Sequence, residues 1–132
     1  MKLAGTTRIA ILVAMALTLT GCQSVLEPRS TMTVDDVVAA FTSQPDLPVT
    51  NPEDTTGEEC VAVDGCSAAV RADEISIYRF ENQEDAANFA DGLGENDYQS
   101  DWVVLEYPGA KLDANRAVLS YSGLIDDMWT SD

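Results

Sequence analysis

The side chains in this sequence best equipped for chemistry are its cysteines and carboxylates. Cys60 and Cys66 are separated by Val61-Ala62-Val63-Asp64-Gly65. Asp64-Gly65 is a strong turn signal that can bring the two thiols together, so the spacing predicts a disulfide closing a small loop. In the chain-entropy model such a loop contributes about 2–3 kcal/mol by restricting the unfolded state. Five intervening residues do not match the C-x-x-C spacing of thioredoxin-like redox pairs. A metal site on two cysteines would need further ligands, and the chain has no histidine to supply them. The same absence removes the commonest general acid–base and excludes Ser-His-Asp and Cys-His machinery.

Carboxylates are abundant, with 23 acidic residues in 132. At that density, pairs such as Asp126-Asp127, Glu58-Glu59 and Glu84-Asp85 arise by chance, and they are read as solvated surface rather than as a glycosidase pair. Glu53, Asp54, Glu58 and Glu59 lie in one polar stretch. Their oxygens suit calcium better than any other metal, but the EF-hand pattern D-x-[DN]-x-[DN]-G is absent, so a solvated acidic loop is favoured over a calcium loop. No H-E-x-x-H, G-x-S-x-G or P-loop signature occurs. The sequence therefore assigns no catalytic residue, no metal ligand and no cofactor, and it is read as a non-enzyme.

Seven basic residues face the 23 acidic ones, a formal net charge of −16. Such a surface repels nucleic acid and anionic lipid headgroups, which excludes nucleic acid as a partner. Its simplest role is to keep a domain soluble, and the alternative is attraction of a basic partner, a polycation or a divalent metal.

The address is written at the N-terminus. Lys2 and Arg8 form a positive segment, and Ile9 to Leu19 is a run of 11 residues that is apolar apart from Thr18. That run is shorter than the roughly 20 apolar residues a membrane span needs, but it fits the core of a signal peptide. It ends in Leu19-Thr20-Gly21-Cys22, which resembles the lipobox of bacterial lipoprotein precursors. The resemblance implies diacylglyceryl transfer to the Cys22 sulfur, recognition of Leu19, Thr20 and Gly21 by a dedicated signal peptidase, and cleavage before Cys22. Two acyl chains make a lasting anchor where one holds only marginally. The expected location is the extracytoplasmic face of a cell membrane, an oxidising setting that suits the Cys60–Cys66 bridge. Loss of Lys2 and Arg8 leaves five basic against 23 acidic residues, a formal net charge of −18.

The expected division is a signal peptide over 1–21, a lipidated tether over 22–32 and one domain over 33–132. Val34, Val37, Val38 and Phe41 share a helical face, with Thr33 as cap, and that helix should stop before Pro45. Residues 44–59 carry three prolines, Gly57 and, after position 50, four acids, and are expected to form a long polar loop, either connector or binding loop. Glu74 to Phe80 reads as a strand, with Ile75 and Ile77 on one face and Tyr78 and Phe80 on the other. Asn82 caps a helix that buries Ala86, Phe89, Ala90 and Leu93 and ends at Gly94. Trp102 to Tyr107 is a second strand, placing Val103, Leu105 and Tyr107 on one side. From Asp113 to Met128 helical spacing is favoured over a strand at Ala117–Tyr121. Trp102, Tyr107, Tyr121 and Trp129 are read chiefly as core, with Trp129 as a candidate contact residue.

A strand, a helix and a second strand make a βαβ-like unit, so the expected fold is a small two-layer α+β domain with helices on one sheet face, ferredoxin-like arrangements included. Phe80 through Tyr107 also resembles segments of small lipoproteins of high-GC Gram-positive bacteria, and that resemblance carries no functional site. The expected function is a membrane-anchored binding or interaction module, with an envelope protein as partner. A small-ligand or calcium-binding surface sensor is the alternative.

Overall fold

The computed structural model describes residues 28–107 and 116–131. Helix α1 spans Val34–Thr42 and opens on a capping box: the Asp36 N–H donates to the Thr33 hydroxyl at 3.2 Å, and the Thr33 N–H donates to the Asp36 carboxylate at 2.9 Å. It stops at Ser43, two residues short of Pro45. Strand β1 (Glu53–Asp54) and the one-turn helix α2 (Thr56–Glu59) follow. Next come β2 (Cys66–Arg71), β3 (Ser76–Phe80), α3 (Gln83–Leu93), β4 (Asp97–Ser100), β5 (Val103–Glu106) and α4 (Arg116–Met128). Asn82 caps α3 by accepting the Asp85 N–H at 2.8 Å, and Gly94 ends it with φ +83°. From Arg116 the last segment is a helix, as its spacing favours, and Asp113, where the sequence starts it, lies outside the described residues.

The strands form one sheet in the order β1-β2-β3-β5-β4, and every pairing is antiparallel. Alternation along the strands sorts the core. Ile75, Ile77, Val103, Leu105 and Tyr107 pack with Val37 and Phe41 of α1 and with Tyr121 and Ile125 of α4. Tyr78, Phe80 and Val104 face the other way, onto Ala86 and Ala90 of α3. Phe89 adds ring contacts at 4.7 Å to Tyr78 and 5.3 Å to Phe80. Burying a large apolar side chain in this way stabilises the fold by about 1.5–3 kcal/mol.

The α+β class is the one expected, and four details correct the sequence reading. Strand β5 lies between β3 and β4 and is antiparallel to both, so β3 and β4 run parallel and β3-α3-β4 is a split βαβ unit; its second strand is β4, not the Trp102–Tyr107 strand expected from sequence. Helices cover both sheet faces, because Tyr78, Phe80 and Val104 give the second face an apolar strip that α3 must cover. Residues 28–32, expected in the tether, belong to the folded domain: Met32 is 1% exposed, and Pro28 forms a parallel bridge with Thr130. Finally, the 44–59 stretch is partly ordered, burying Leu47 and Val49 and supplying β1 and α2.

Candidate functional site

A cleft of about 610 Å³ lies on the α1 side of β2 and β3, beyond the start of α1. Residues 30–35 form one bank, Asp54 and Thr56 a second, and Ser67, Ala68, Val70 and the end of β3 complete it. The apolar part comes from Met32, Val34, Ala68 and Val70, all in or against the main core. Asp54 accepts the Thr56 N–H at 2.9 Å, and its hydrogen bonds to Thr56 hold its carboxyl below the usual range.

Arg79 is the unusual member. It shares the strand face of Ile75 and Ile77, where alternation calls for an apolar side chain. Its Nε donates to the Met32 carbonyl at 2.9 Å, one Nη donates to the Ser30 carbonyl at 2.7 Å, and the other Nη donates to the Phe80 carbonyl. The guanidinium also lies 5.8 Å from the centre of the Trp102 ring, within cation–π range. Burial lowers its pKa. Sequence reasoning missed this residue. The available signal was a charged residue at an apolar position of the Ile75-Ile77 face.

A second cleft of about 500 Å³ opens on the α3 face. Register aligns Arg71, Ser76 and Glu106 of its lining across three strands, and Asp97 continues the row on β4. The Tyr78 hydroxyl donates to Glu106 at 2.9 Å, and burial followed by this contact pushes the phenol up to about 12. Arg71 pairs with Glu59, so this lining is internally compensated in part.

Arg29 forms a third polar centre, also missed from the sequence. It pairs with Asp101 at 3.0 Å and Asp126 at 3.4 Å, and its main-chain N–H donates to the Thr130 carbonyl at 2.9 Å. Asp126 further accepts from Ser100 at 2.8 Å and from the Tyr98 hydroxyl. This network fastens the start of the domain to α4 and to the β4–β5 turn.

Among the residues named from sequence, Cys60 and Cys66 are joined in a disulfide with Cα atoms 4.9 Å apart. Gly65 makes the turn between them at φ +72°. Leu19, Thr20, Gly21 and Cys22 lie outside the described residues. Asp54 accepts the Thr56 N–H and Glu59 meets Arg71, so two carboxylates of the acidic stretch are engaged within the protein. Among the described residues, no group of three His, Cys, Asp or Glu side chains is arranged to hold a metal. Trp129, Tyr107 and Tyr121 are buried, whereas Trp102 is half-buried against Arg79. No described helix is long and apolar enough to cross a membrane.

Comparison with known proteins returns no match to any protein-family model, curated protein or solved structure.

Proposed function

We propose that this chain is an exported lipoprotein, anchored by lipid on Cys22 to the extracytoplasmic face of a membrane, and that its folded domain is a non-catalytic binding or interaction module. The anchor rests on the 11-residue apolar run and the Leu19-Thr20-Gly21-Cys22 motif. The observation that carries the binding reading is the cleft over β2 and β3. Its volume falls within the range typical of small-ligand clefts, and it combines apolar walls with a few converging polar groups. The absence of histidine, and the engagement of Asp54, Glu59 and Asp126 with protein partners, favour binding over turnover.

Docking of residues 28–32 bears on how the module is presented. Only Gln23 to Glu27 separate a lipidated Cys22 from Pro28. Six fully extended steps span at most about 20 Å, so the module works close to its membrane, within reach of other envelope proteins.

Crosslinking on intact native cells, followed by detergent extraction and mass spectrometry of proteins captured with the tagged chain, tests the proposal. The Cys22→Ala form is the control. Recurrent envelope proteins captured only with the anchored form support it. Equal recovery of the Cys22→Ala form in the membrane fraction would remove the anchor, and recovery of the chain alone would remove the protein partner.

A further inference from the structure

Three arginines have described side chains, and one differs from the others. Arg29 and Arg71 each meet a carboxylate. Arg79 donates to the carbonyls of Ser30, Met32 and Phe80 and lies over the Trp102 ring, contacts that solvate its charge without cancelling it. A guanidinium carries five N–H groups, so two remain for a ligand once these bonds are made. In a chain where acids outnumber bases 23 to 7, a cation with no carboxylate partner among the described residues calls for an explanation. Arg79 lines the cleft over β2 and β3, together with Asp35 and Glu81, whose side chains have no partner among the described residues. Val34 and Val70 add apolar wall to the same cleft.

A simple anion would meet Arg79 but be opposed by the two carboxylates. A simple cation would meet the carboxylates but be opposed by Arg79. From this juxtaposition we propose that the cleft binds a zwitterion on a small apolar frame, a free amino acid or a short peptide. Arg79 takes its carboxylate, and Asp35 and Glu81 take its ammonium group. The inference rests on the reading of the domain as a binding module and names the ligand class of its main cleft. A charge-assisted bidentate bond to Arg79 would fix the ligand's direction, and the walls at Val34 and Val70 would select its side chain.

The test uses the detergent-solubilised full-length protein in calorimetric titrations with the common L-amino acids and a panel of alanyl dipeptides. The two panels separate the free amino acid from the peptide. The best binder is then compared with its amide, which lacks the carboxylate, and with its deaminated analogue, which lacks the ammonium group. Each analogue should bind at least about tenfold more weakly, the loss expected from one charge-assisted hydrogen bond. In Arg79→Gln the parent ligand and its amide should bind alike. Because Arg79 also holds residues 30–32, the exposed double variant Asp35→Asn/Glu81→Gln provides a second arm, in which discrimination against the deaminated analogue should vanish. No binding by either panel at millimolar concentration, or equal binding of the charge-deleted analogues, overturns the assignment. An envelope protein captured by crosslinking while both panels fail would overturn the ligand class alone and leave the binding module standing. Failure of both experiments would remove both.

Discussion

Replacing Met32 by alanine asks directly whether the domain begins before α1. Met32 is 1% exposed and belongs to the core cluster of Val37, Phe41, Ile77 and Tyr121. Its carbonyl also accepts the Arg79 Nε at 2.9 Å, so the main chain stays fastened when the side chain is cut back. The pocket left behind is therefore held open rather than collapsed, and truncation of a buried methionine should cost about 2–5 kcal/mol. For a domain of this size each 1 kcal/mol lowers Tm by about 4–8 °C, so a fall of at least about 8 °C is expected. Urea and thermal unfolding of Met32→Ala would be read against Val61→Ala, whose side chain is 82% exposed and should change stability by less than about 0.5 kcal/mol. If the two variants unfold alike, residues 28–32 are a loose tether and not part of the folded domain.

Three other perturbations have definite expected outcomes. Gly65→Ala places a Cβ 2.6 Å from the Asp85 Cβ at φ +72°, and should cost at least about 1–2 kcal/mol, whereas Gly57→Ala meets open space and should cost less; equal melts would refute the close approach. Intact mass after alkylation should rise only if the protein is first reduced, and Cys60→Ser/Cys66→Ser should lose about 2–3 kcal/mol; alkylation of the native protein at these positions would remove the bridge. Burial, then Asp91, and then Glu106 opposite it in register raise the Asp97 carboxyl above 3.8. A carboxyl raised in the fold contributes fully below its unfolded pKa and loses that contribution as pH rises through its folded value. Asp97→Asn should therefore be more stable than the parent at neutral pH, with the gap closing below 3.8, and pH-independent parity in urea titrations would refute the shift.

Helices were legible where capping and period agreed. Thr33 and Asp36, then Val34, Val37 and Phe41, marked both the start and the buried face of α1. The strand faces were legible too, since Ile75 and Ile77 separate from Tyr78 and Phe80 as alternation requires. Three strands were not. In β2, Ser67, Ala68 and Ala69 have little strand propensity, and a register shift between Cys66 and Ala68 breaks the alternation. β1 is two charged residues, and β4 is Asp-Tyr-Gln-Ser, strands only because neighbours pair with them. Missing β4 alone assigns the crossover from β3 to β5, the strand that is in fact inserted between the parallel pair β3 and β4. The clefts were illegible for a different reason. Arg79 acquires its partners from residues 30 and 32, some 47 to 49 positions away, and no local pattern encodes that meeting.

The fastening of residues 28–32 also has a mechanical meaning. A pull applied upstream of Pro28 loads, in series, the Arg29 N–H on Thr130, the Arg29 ion pairs, and the grip of Arg79 on Ser30 and Met32. Only when these have yielded does tension reach the capping box of α1 and the core behind it. The contacts that join residues 28–32 to the rest of the domain thus serve as a strain relief, and the sheet would keep its register through a pull on the chain upstream of Pro28.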